Sequence, residues 1–338
     1  MSRAVILGGT GVIGRAAARR LLASGWDVDV VGRDRSRVPE DVAAAGGRFV
    51  AADRDEAGEL AATLGAGADL LVDCLCFTAA HARGLLPLLD DVGSTVMIST
   101  KAVYVDAEGN HVNSANPPNF AGPIRESQPT VAPREDIDYR SGDGYGANKV
   151  AAERVLLDSG HPVTVLRPSR VHGEGASKPD EWVFVKRVLD RRGVLLLSHG
   201  GRGADQTSAA ANIAALIEVV ANDPGARILN SADPDGPSAL EISRTVAAHL
   251  GHQWREVLLD EHAPPGLGLH PWARIPAIRL DMSAAAQLGY RPAGDYATTV
   301  TAELDWLVST QQLPPTFEHD YFAPMLDYAA EDAYLATR

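Results

Sequence analysis

The chain has 338 residues, enough for one large domain or for one domain with a smaller partner. It is 45% hydrophobic and 22% charged, which is ordinary for a soluble globular protein, and its net charge of −13 disfavours nucleic acid or an anionic membrane as its main partner. No apolar run approaches the roughly 20 residues of a membrane helix, and no signal peptide fits before the first strand, so we expect a cytoplasmic protein.

The first residues predict a strand, a glycine turn and a helix. The apolar run 4–7 has the length of a buried strand, and residues 15–22 are rich in helix formers. Between them, Gly8 permits a tight turn, Gly11 lets the backbone approach a pyrophosphate, and Gly14 lets the helix pack on the strand. Three glycines could simply connect a strand to a helix, but this order favours a dinucleotide-binding turn. The expected contacts are Gly8, Thr10, Gly11, Val12, Ile13 and Gly14.

The apolar runs that follow alternate with helix-forming segments. This alternation predicts an α/β fold with a parallel sheet covered on both faces. The predicted strands are 28–31, 48–52, 68–77, 95–98, 163–166, 194–197 and 227–230. The predicted helices are 81–91, 143–157, 182–191, 238–251 and 302–308. The proline- and glycine-rich stretch 105–144 is predicted to be a loop that borders the substrate.

The Gly-x-x-Gly-x-x-Gly spacing resembles that of the short-chain dehydrogenase/reductase superfamily, in particular its extended or atypical members in the NAD-dependent epimerase/dehydratase family. The resemblance covers residues 2 to about 310. It implies a Rossmann-type doubly wound parallel sheet formed by 1–168 and about 203–230, with a smaller mixed C-terminal substrate lobe formed by about 169–202 and 231–338. It also implies a small-molecule substrate and a possible homodimer.

The same resemblance implies a catalytic set of three side chains. Tyr145 and Lys149 lie one helical turn apart, so they share a helix face, and Thr100 precedes a Val-Tyr pair as in the relatives. A Tyr-x-x-x-Lys pair also occurs on ordinary surface helices, but its combination with Thr100 and the glycine turn favours catalysis. Tyr145 would be the acid/base, Thr100 would hold the substrate oxygen, and Lys149 would lower the tyrosine pKa from about 10 and hold the nicotinamide ribose.

The end of the second strand predicts which dinucleotide is preferred. NAD-binding relatives place an acidic residue there, whereas this chain has Gly32 followed by Arg33, with Arg37 one turn further on. Arginine suits a 2′-phosphate, so we predict NADP; Asp34 beside Arg33 keeps NAD possible. A solvated charged loop is the plainer alternative.

Further cofactor contacts follow from the resemblance. An aspartate after the third strand contacts the adenine amine in the relatives, the fourth strand ends beneath the nicotinamide ribose, and the segment after Leu-Arg-Pro contacts the carboxamide. The residues at these places are Asp53, Arg54, Leu75, Pro168 and Val171, in addition to Lys149.

Three observations limit the chemistry. Dehydratase relatives carry an Asp-Glu pair after the catalytic threonine, and this chain has Lys101-Ala102, which disfavours dehydration. Cys74 and Cys76 show no disulfide or metal-ligand spacing, so no metal is predicted. His172 replaces a residue that is often aromatic in the relatives, and it has no assigned role. The tail, 317–338, is aromatic and acidic, which favours packing or an interface.

These observations predict an NADP-dependent oxidoreductase that transfers a hydride between nicotinamide C4 and a carbonyl or alcohol carbon of a small or sugar-like substrate. The alternatives are a sugar-nucleotide epimerase that returns the hydride and a non-catalytic dinucleotide-binding regulator. The intact set of Thr100, Tyr145 and Lys149 disfavours the regulator.

Overall fold

The fold was analysed in a computed structural model, which describes residues 2–311 and 321–337. The chain forms two compact units. Unit 1 contains the chain up to Val171 together with Ala210–Ala232 and Leu280–Ala293. Unit 2 contains His172–Ala209, Asp233–Arg279 and the described chain from Gly294 onward. The division predicted from the sequence placed 203–209 in the larger domain and 280–293 in the smaller one, whereas each packs in the other unit.

The strands and helices follow in chain order. The strands are β1 (Arg3–Leu7), β2 (Asp27–Gly32), β3 (Arg48–Ala51), β4 (Ala68–Asp73), β5 (Val92–Ile98), β6 (Val163–Pro168), β7 (Arg170–His172), β8 (Val194–Leu197), β9 (Thr207–Ala209), β10 (Arg227–Ser231) and β11 (Arg255–Leu258). The helices are α1 (Val12–Ala23), α2 (Glu40–Ala44), α3 (Ala57–Leu64), α4 (Ala79–Leu85), α5 (Gly142–Leu157), α6 (Trp182–Leu189), α7 (Ala210–Asn222), α8 (Ala239–His249), α9 (Ser283–Gln287), α10 (Tyr296–Thr299), α11 (Thr301–Thr310) and α12 (Tyr328–Leu335).

Unit 1 is built on a seven-stranded sheet in the order β3-β2-β1-β4-β5-β6-β10. Every neighbouring pair is parallel. The order reverses direction between the neighbouring strands β1 and β4, from which the two halves of the sheet extend. This is the doubly wound arrangement of a Rossmann-type fold, so the predicted fold class is confirmed. The carboxyl ends of β1, β4 and β5 therefore lie side by side, where such sheets bind ligands.

Alternating side chains of β1 supply the two cores of unit 1. Ala4 and Ile6 pack in one cluster with α1 and α7, and Val5 and Leu7 pack in the other with α3, α4 and α5. Successive side chains of a strand point to opposite faces, so an apolar run without polar interruption is what a strand covered on both sides requires.

Two elements end earlier than the sequence suggested. β4 ends at Asp73, because the Asp73 carboxylate accepts a hydrogen bond from the N–H of Leu75 at 2.8 Å and turns the chain. The helix expected over 81–91 is α4 followed by a 3₁₀ segment, Leu86–Asp91, with a proline at its start. The stretch 105–141, all of it described, contains no helix or strand, as the loop prediction requires.

Unit 2 has its own core around Trp182, Phe184, Trp272 and Tyr296. β8 pairs with β11 in parallel, and α8 starts with a capping box between Ser238 and Glu241. Part of the predicted tail, 317–320, lies outside the described residues. Beyond it, the side chain of Phe322 is buried in this core.

None of the described helices is long and apolar enough to cross a membrane.

Candidate dinucleotide-binding and catalytic site

The glycine turn between β1 and α1 has the close backbone contacts that its sequence predicts. Gly8 has a φ of +77°, and a Cβ there would lie 2.9 Å from Cγ of Leu75. A Cβ on Gly14 would lie 2.4 Å from the carbonyl oxygen of Gly8, so only glycine lets α1 approach β1 this closely. At Gly11 the single atom within 4 Å is that same oxygen, at 3.3 Å, and no side chain caps α1.

This turn forms one wall of a cleft of about 490 Å³ in unit 1. Of the predicted cofactor contacts, those that line the cleft are Gly8, Thr10, Gly11, Arg33, Arg37, Asp53, Arg54 and Leu75. The others do not line it: Val12, Ile13, Gly14, Lys149, Pro168 and Val171. The Ile13 side chain is buried in the core on the α1 side of the sheet, and Gly14 lies where α1 contacts the glycine turn. Both residues therefore affect the shape of the cleft by positioning the backbone of α1.

The end of β2 presents arginine side chains to the cleft. The Arg33 side chain is 81% exposed, and its Nη1 lies 3.9 Å from Oδ2 of Asp53. Asp34 also lines the cleft, but its carboxylate accepts hydrogen bonds from the N–H and the hydroxyl of Ser36, and these lower its pKa. A Cβ on Gly32 would lie 3.2 Å from the Thr10 hydroxyl, so a long acidic side chain at Gly32 would crowd the turn.

Arg54 lies in the cleft wall but is already paired. Its guanidinium donates to Oδ2 of Asp73 at 2.6 Å and to the carbonyl of His81 at 3.0 Å, and its side chain is 6% exposed. These bonds tie the segment after β3 to the end of β4. In this structure Arg54 is therefore a residue of the cleft wall, and the Asp73 carboxylate balances its positive charge. Its contact with the cofactor stays a prediction.

An aromatic wall closes the cleft, and sequence reasoning missed it. Phe77 stacks on Tyr139, with ring centroids 5.4 Å apart, and the guanidinium of Arg140 lies 4.4 Å from the Tyr139 ring. His81 accepts a hydrogen bond from the Phe77 N–H, and burial lowers the pKa of its imidazole. All four side chains line the cleft. Tyr139 and Arg140 belong to the loop 105–144, which the sequence predicts to border the substrate. That prediction was the one feature of the sequence that could have pointed to this wall.

Thr100 and Tyr145 meet at the neighbouring end of β5. Thr100 follows β5 and caps a short 3₁₀ turn by accepting from the Ala102 N–H, while Tyr145 lies in the first turn of α5. The Thr100 side chain lies close enough to the Tyr145 phenol to favour loss of its proton. Burial raises the pKa of Tyr145, and the influence of Thr100 opposes this only in part. The chain without cofactor therefore has a raised Tyr145 pKa, and the lowering expected from Lys149 together with the positive charge of the oxidised nicotinamide stays a prediction.

Lys149 is buried, with 2% of its surface exposed. Its ammonium group donates to the carbonyl oxygens of Cys76 and Ile98, both at 2.8 Å, and lies 4.3 Å from the Phe77 ring. Burial lowers the pKa of Lys149. The ammonium therefore joins the segment after β4 to the end of β5.

A buried ion pair below these residues fixes α5. Glu153 accepts two hydrogen bonds from the Arg167 guanidinium, at 3.0 and 2.5 Å, and one from the Ser99 hydroxyl. Ser99 is thereby committed to structure, so Thr100 is the hydroxyl of this pair that faces Tyr145. The network joins α5 to the ends of β5 and β6, and it holds the helix that carries Tyr145 and Lys149.

The structure supports no redox role for the thiols of Cys74 and Cys76. Burial, assisted by the neighbouring carboxylate of Asp73, raises the pKa of the Cys74 and Cys76 thiols to about 12. Thiols with such pKa values stay protonated at neutral pH and are poor nucleophiles.

Comparison with known proteins places the chain in a family. Residues 4–205 match the family model described as "NAD dependent epimerase/dehydratase family". No curated protein matches the chain.

Solved structures share the fold. UDP-glucose-4-epimerase from Stenotrophomonas maltophilia, with bound NAD and formylated UDP-arabinopyranose, has a TM-score of 0.68 at 18% identity and covers 92% of this chain and 99% of its own. The dTDP-glucose 4,6-dehydratase DesIV from Streptomyces venezuelae, with NAD bound, has a TM-score of 0.67 at 22% identity, covering 91% and 98%. UDP-glucose 4-epimerase from Thermotoga maritima, with UDP-glucose, has a TM-score of 0.67 at 15% identity, covering 92% and 100%.

Proposed function

This chain belongs to the NAD-dependent epimerase/dehydratase family, and we propose that it is an NADP-dependent oxidoreductase within that family. It would interconvert a carbonyl and an alcohol on a small or sugar-like substrate. The observation that carries the proposal is the approach of the Thr100 side chain to the Tyr145 phenol, in the same unit as the glycine turn and the cleft.

The residues of the cleft fit a dinucleotide. The turn brings backbone close to the space beside Gly11, where a pyrophosphate needs N–H donors and no side chain in the way. The uncapped start of α1 leaves N–H groups for an anion. Phe77 and Tyr139 supply flat apolar surface, and Arg33 and Arg37 supply positive charge. A volume of about 490 Å³ lies within the range of cofactor sites.

In the proposed reaction the nicotinamide, when bound, supplies or accepts the hydride. The protein handles the proton. In the reducing direction Tyr145 donates its phenolic proton to the carbonyl oxygen, so the hydride and this proton together give the alcohol. Thr100 donates to the same oxygen and keeps it within reach of Tyr145. Since burial raises the pKa of Tyr145, the ligand-free chain already holds the phenol in the protonated form that reduction requires.

Lys149 acts through position and charge. Its hydrogen bonds to the carbonyls of Cys76 and Ile98 use two of the three donors of an ammonium, and the Phe77 ring lies near the group. We assign it the role of holding the loop after β4 and the end of β5 in register with α5. The family resemblance implies that Lys149 contacts the ribose hydroxyls. For this contact the ammonium would use its third N–H donor, or would give up its hydrogen bond to one of the two carbonyls.

The preference for NADP rests on the end of β2. Gly32 stands where NAD-binding relatives have the acidic side chain that binds the ribose hydroxyls. The nearby Asp34 carboxylate already accepts hydrogen bonds from Ser36. Arg33 and Arg37 remain exposed in the cleft. Charge-assisted bonds from arginine to a 2′-phosphate are the interaction this arrangement favours.

Dehydration is disfavoured by the turn after Thr100. Elimination of water in dehydratases of this family needs an acid and a base close to the sugar, and this turn offers Lys101 and Ala102, which are 6% and 5% exposed. A sugar-nucleotide epimerase that returns the hydride is the second candidate, favoured by the fold shared with UDP-glucose 4-epimerases.

The test is turnover with NADPH and a panel of ketones and aldehydes that includes nucleotide-linked keto sugars. We expect NADPH to be oxidised in proportion to alcohol formed. Conversion of one sugar nucleotide into its epimer without net NADPH oxidation would select the epimerase. Tight NADPH binding with neither reaction would indicate a dinucleotide-binding regulator and would overturn the catalytic proposal.

A further inference from the structure

Three buried side chains of unit 2 converge on one point. His172 ends β7, Glu181 directly precedes α6, and Glu303 lies in the first turn of α11. They are 2%, 1% and 0% exposed. Each offers one ligand atom, a ring nitrogen or a carboxylate oxygen, and these three atoms all lie within 4.8 Å of one another. The reaction proposed above uses none of the three.

Each residue is held through one polar atom. Nε2 of His172 lies 2.9 Å from Oδ2 of Asp233, Oε1 of Glu181 accepts from the Tyr296 hydroxyl at 3.0 Å, and Oε2 of Glu303 accepts from the Gly173 N–H at 2.5 Å.

The second polar atom of each side chain has no hydrogen-bond partner among the described residues. These atoms are Nδ1 of His172, Oε2 of Glu181 and Oε1 of Glu303. Buried polar atoms left unpaired cost free energy, so three of them in one cluster indicate a missing partner.

The histidine is set up as a ligand. Asp233 is fixed by the Thr207 hydroxyl at 2.6 Å and the Ala209 N–H at 2.7 Å. An ionised carboxylate only accepts hydrogen bonds, so Nε2 of His172 carries the proton that faces Asp233. In a neutral imidazole the unpartnered Nδ1 is then a lone pair. A carboxylate that orients a histidine from behind in this way is typical of metal sites.

In the described part of unit 2, no arginine or lysine pairs with Glu181 or Glu303. The carboxylates of Asp180, Asp233 and Asp235 act on the cluster, and the imidazole of His172 is the member of the cluster that could carry a positive charge. Two buried carboxylates side by side need either a proton or a positive ion between them.

We propose that His172, Glu181 and Glu303 bind a divalent transition-metal ion of the zinc or manganese class. One imidazole and two carboxylates form a mixed nitrogen and oxygen set, which suits Zn²⁺ or Mn²⁺ better than Mg²⁺ or Ca²⁺. Since the ligands come from β7 and from the starts of α6 and α11, the ion joins three separate segments of unit 2. Its role is structural, and it stabilises the folded state by binding that state alone.

The first test measures metal on the intact wild-type chain. The protein is stripped with a chelator, incubated with Zn²⁺ or with Mn²⁺, desalted, and analysed by elemental mass spectrometry and thermal unfolding. We expect close to one ion per chain and a Tm several degrees above that of the stripped protein. Mg²⁺ serves as the ion control and should give no retained metal. A chain that retains neither Zn²⁺ nor Mn²⁺ and shows no change in Tm contradicts the proposal.

Variants locate the ion. Glu303→Gln and Glu181→Gln keep the shape of the side chain and should abolish retention, while His249→Gln, which removes a histidine that contacts Asp305, should keep it. If Glu181 and Glu303 instead share a proton, the glutamine variants unfold at the same or a higher Tm, and added metal has no effect on wild type. Should a variant fail to fold, Co²⁺ added to wild type decides: visible absorption bands of cobalt with nitrogen and oxygen ligands support the site, and their absence overturns it.

Discussion

The two ends of the site in unit 1 are built differently. At the dinucleotide end, closely spaced glycines from the end of β1 into the first turn of α1 shape the cleft through the backbone, and a Cβ at Gly14 would overlap the Gly8 carbonyl. At the catalytic end, Thr100 and Tyr145 come from separate elements and meet only because α5 packs against the short 3₁₀ turn that follows Thr100. Substitutions at the dinucleotide end should therefore act through stability and binding, and those at the catalytic end through turnover alone.

The largest expected effect is on turnover at the catalytic end. Tyr145→Phe removes the proton that Tyr145 donates and keeps the ring, so we expect the rate of carbonyl reduction to fall about 10²–10⁴-fold. Dinucleotide affinity and Tm should stay close to wild type. The control is Tyr139→Phe, which removes a hydroxyl from the cleft wall but keeps the stack on Phe77. A Tyr145→Phe enzyme with wild-type turnover would remove the catalytic assignment.

The next effect is on stability at the dinucleotide end. A Cβ in Gly14→Ala would lie 2.4 Å from the Gly8 oxygen and 2.5 Å from Cα of Gly9, so α1 must move away from the turn. We expect the free energy of unfolding in urea to fall by about 2 kcal/mol or more. Gly84→Ala is the matched control, since a Cβ there meets nothing within 4 Å, and it should leave stability equal or slightly higher. Equal stability in both variants would contradict the tight turn.

A smaller effect should distinguish the two dinucleotides. Arg33→Ala should raise the Kd for NADPH about tenfold, or ~1.4 kcal/mol, and should leave the Kd for NADH nearly unchanged. The reason is that Arg33 faces the cleft at the end of β2 and would contact only the 2′-phosphate. Arg35→Ala is the control, because Arg35 belongs to the same loop but lies over the Phe49 ring. Equal weakening of NADPH and NADH would refute the predicted preference.

The smallest effect concerns pH. Burial raises the pKa of Tyr145 above its ordinary value of 10.0, so the phenol is protonated throughout the neutral range and loses its proton only above that value. In the reducing direction the protonated phenol is the active form. We therefore expect kcat/KM for the carbonyl substrate to vary little between pH 6 and 9 and to fall only at higher pH. A steep fall between pH 7 and 9 would show that the tyrosine pKa is lowered after all.

Much of unit 1 could be predicted from the sequence because its signals are local. The apolar run of β1 and the positive φ of Gly8 each depend on residues close together in the chain. The pairing of Thr100 with Tyr145 was predictable only through a family resemblance, since spacing alone cannot place two elements side by side.

What the sequence missed depends on tertiary packing. The stack of Phe77 on Tyr139 joins the segment after β4 to the long loop, and no local pattern relates them. The ammonium of Lys149 is directed to backbone carbonyls, and burial dominates the pKa of both Lys149 and Tyr145 in the chain without cofactor, neither of which spacing alone could show. The spacing of residues in the sequence likewise does not show that His172 meets two glutamates from other segments of the chain.

The most direct test is a calorimetric titration of the purified chain with NADPH and, separately, with NADH. The account predicts one binding site per chain, with NADPH bound more tightly than NADH and with a higher Tm in its presence. A folded chain that gives neither heat nor stabilisation with either dinucleotide would contradict the assignment of the cleft beside Gly8 and Gly11.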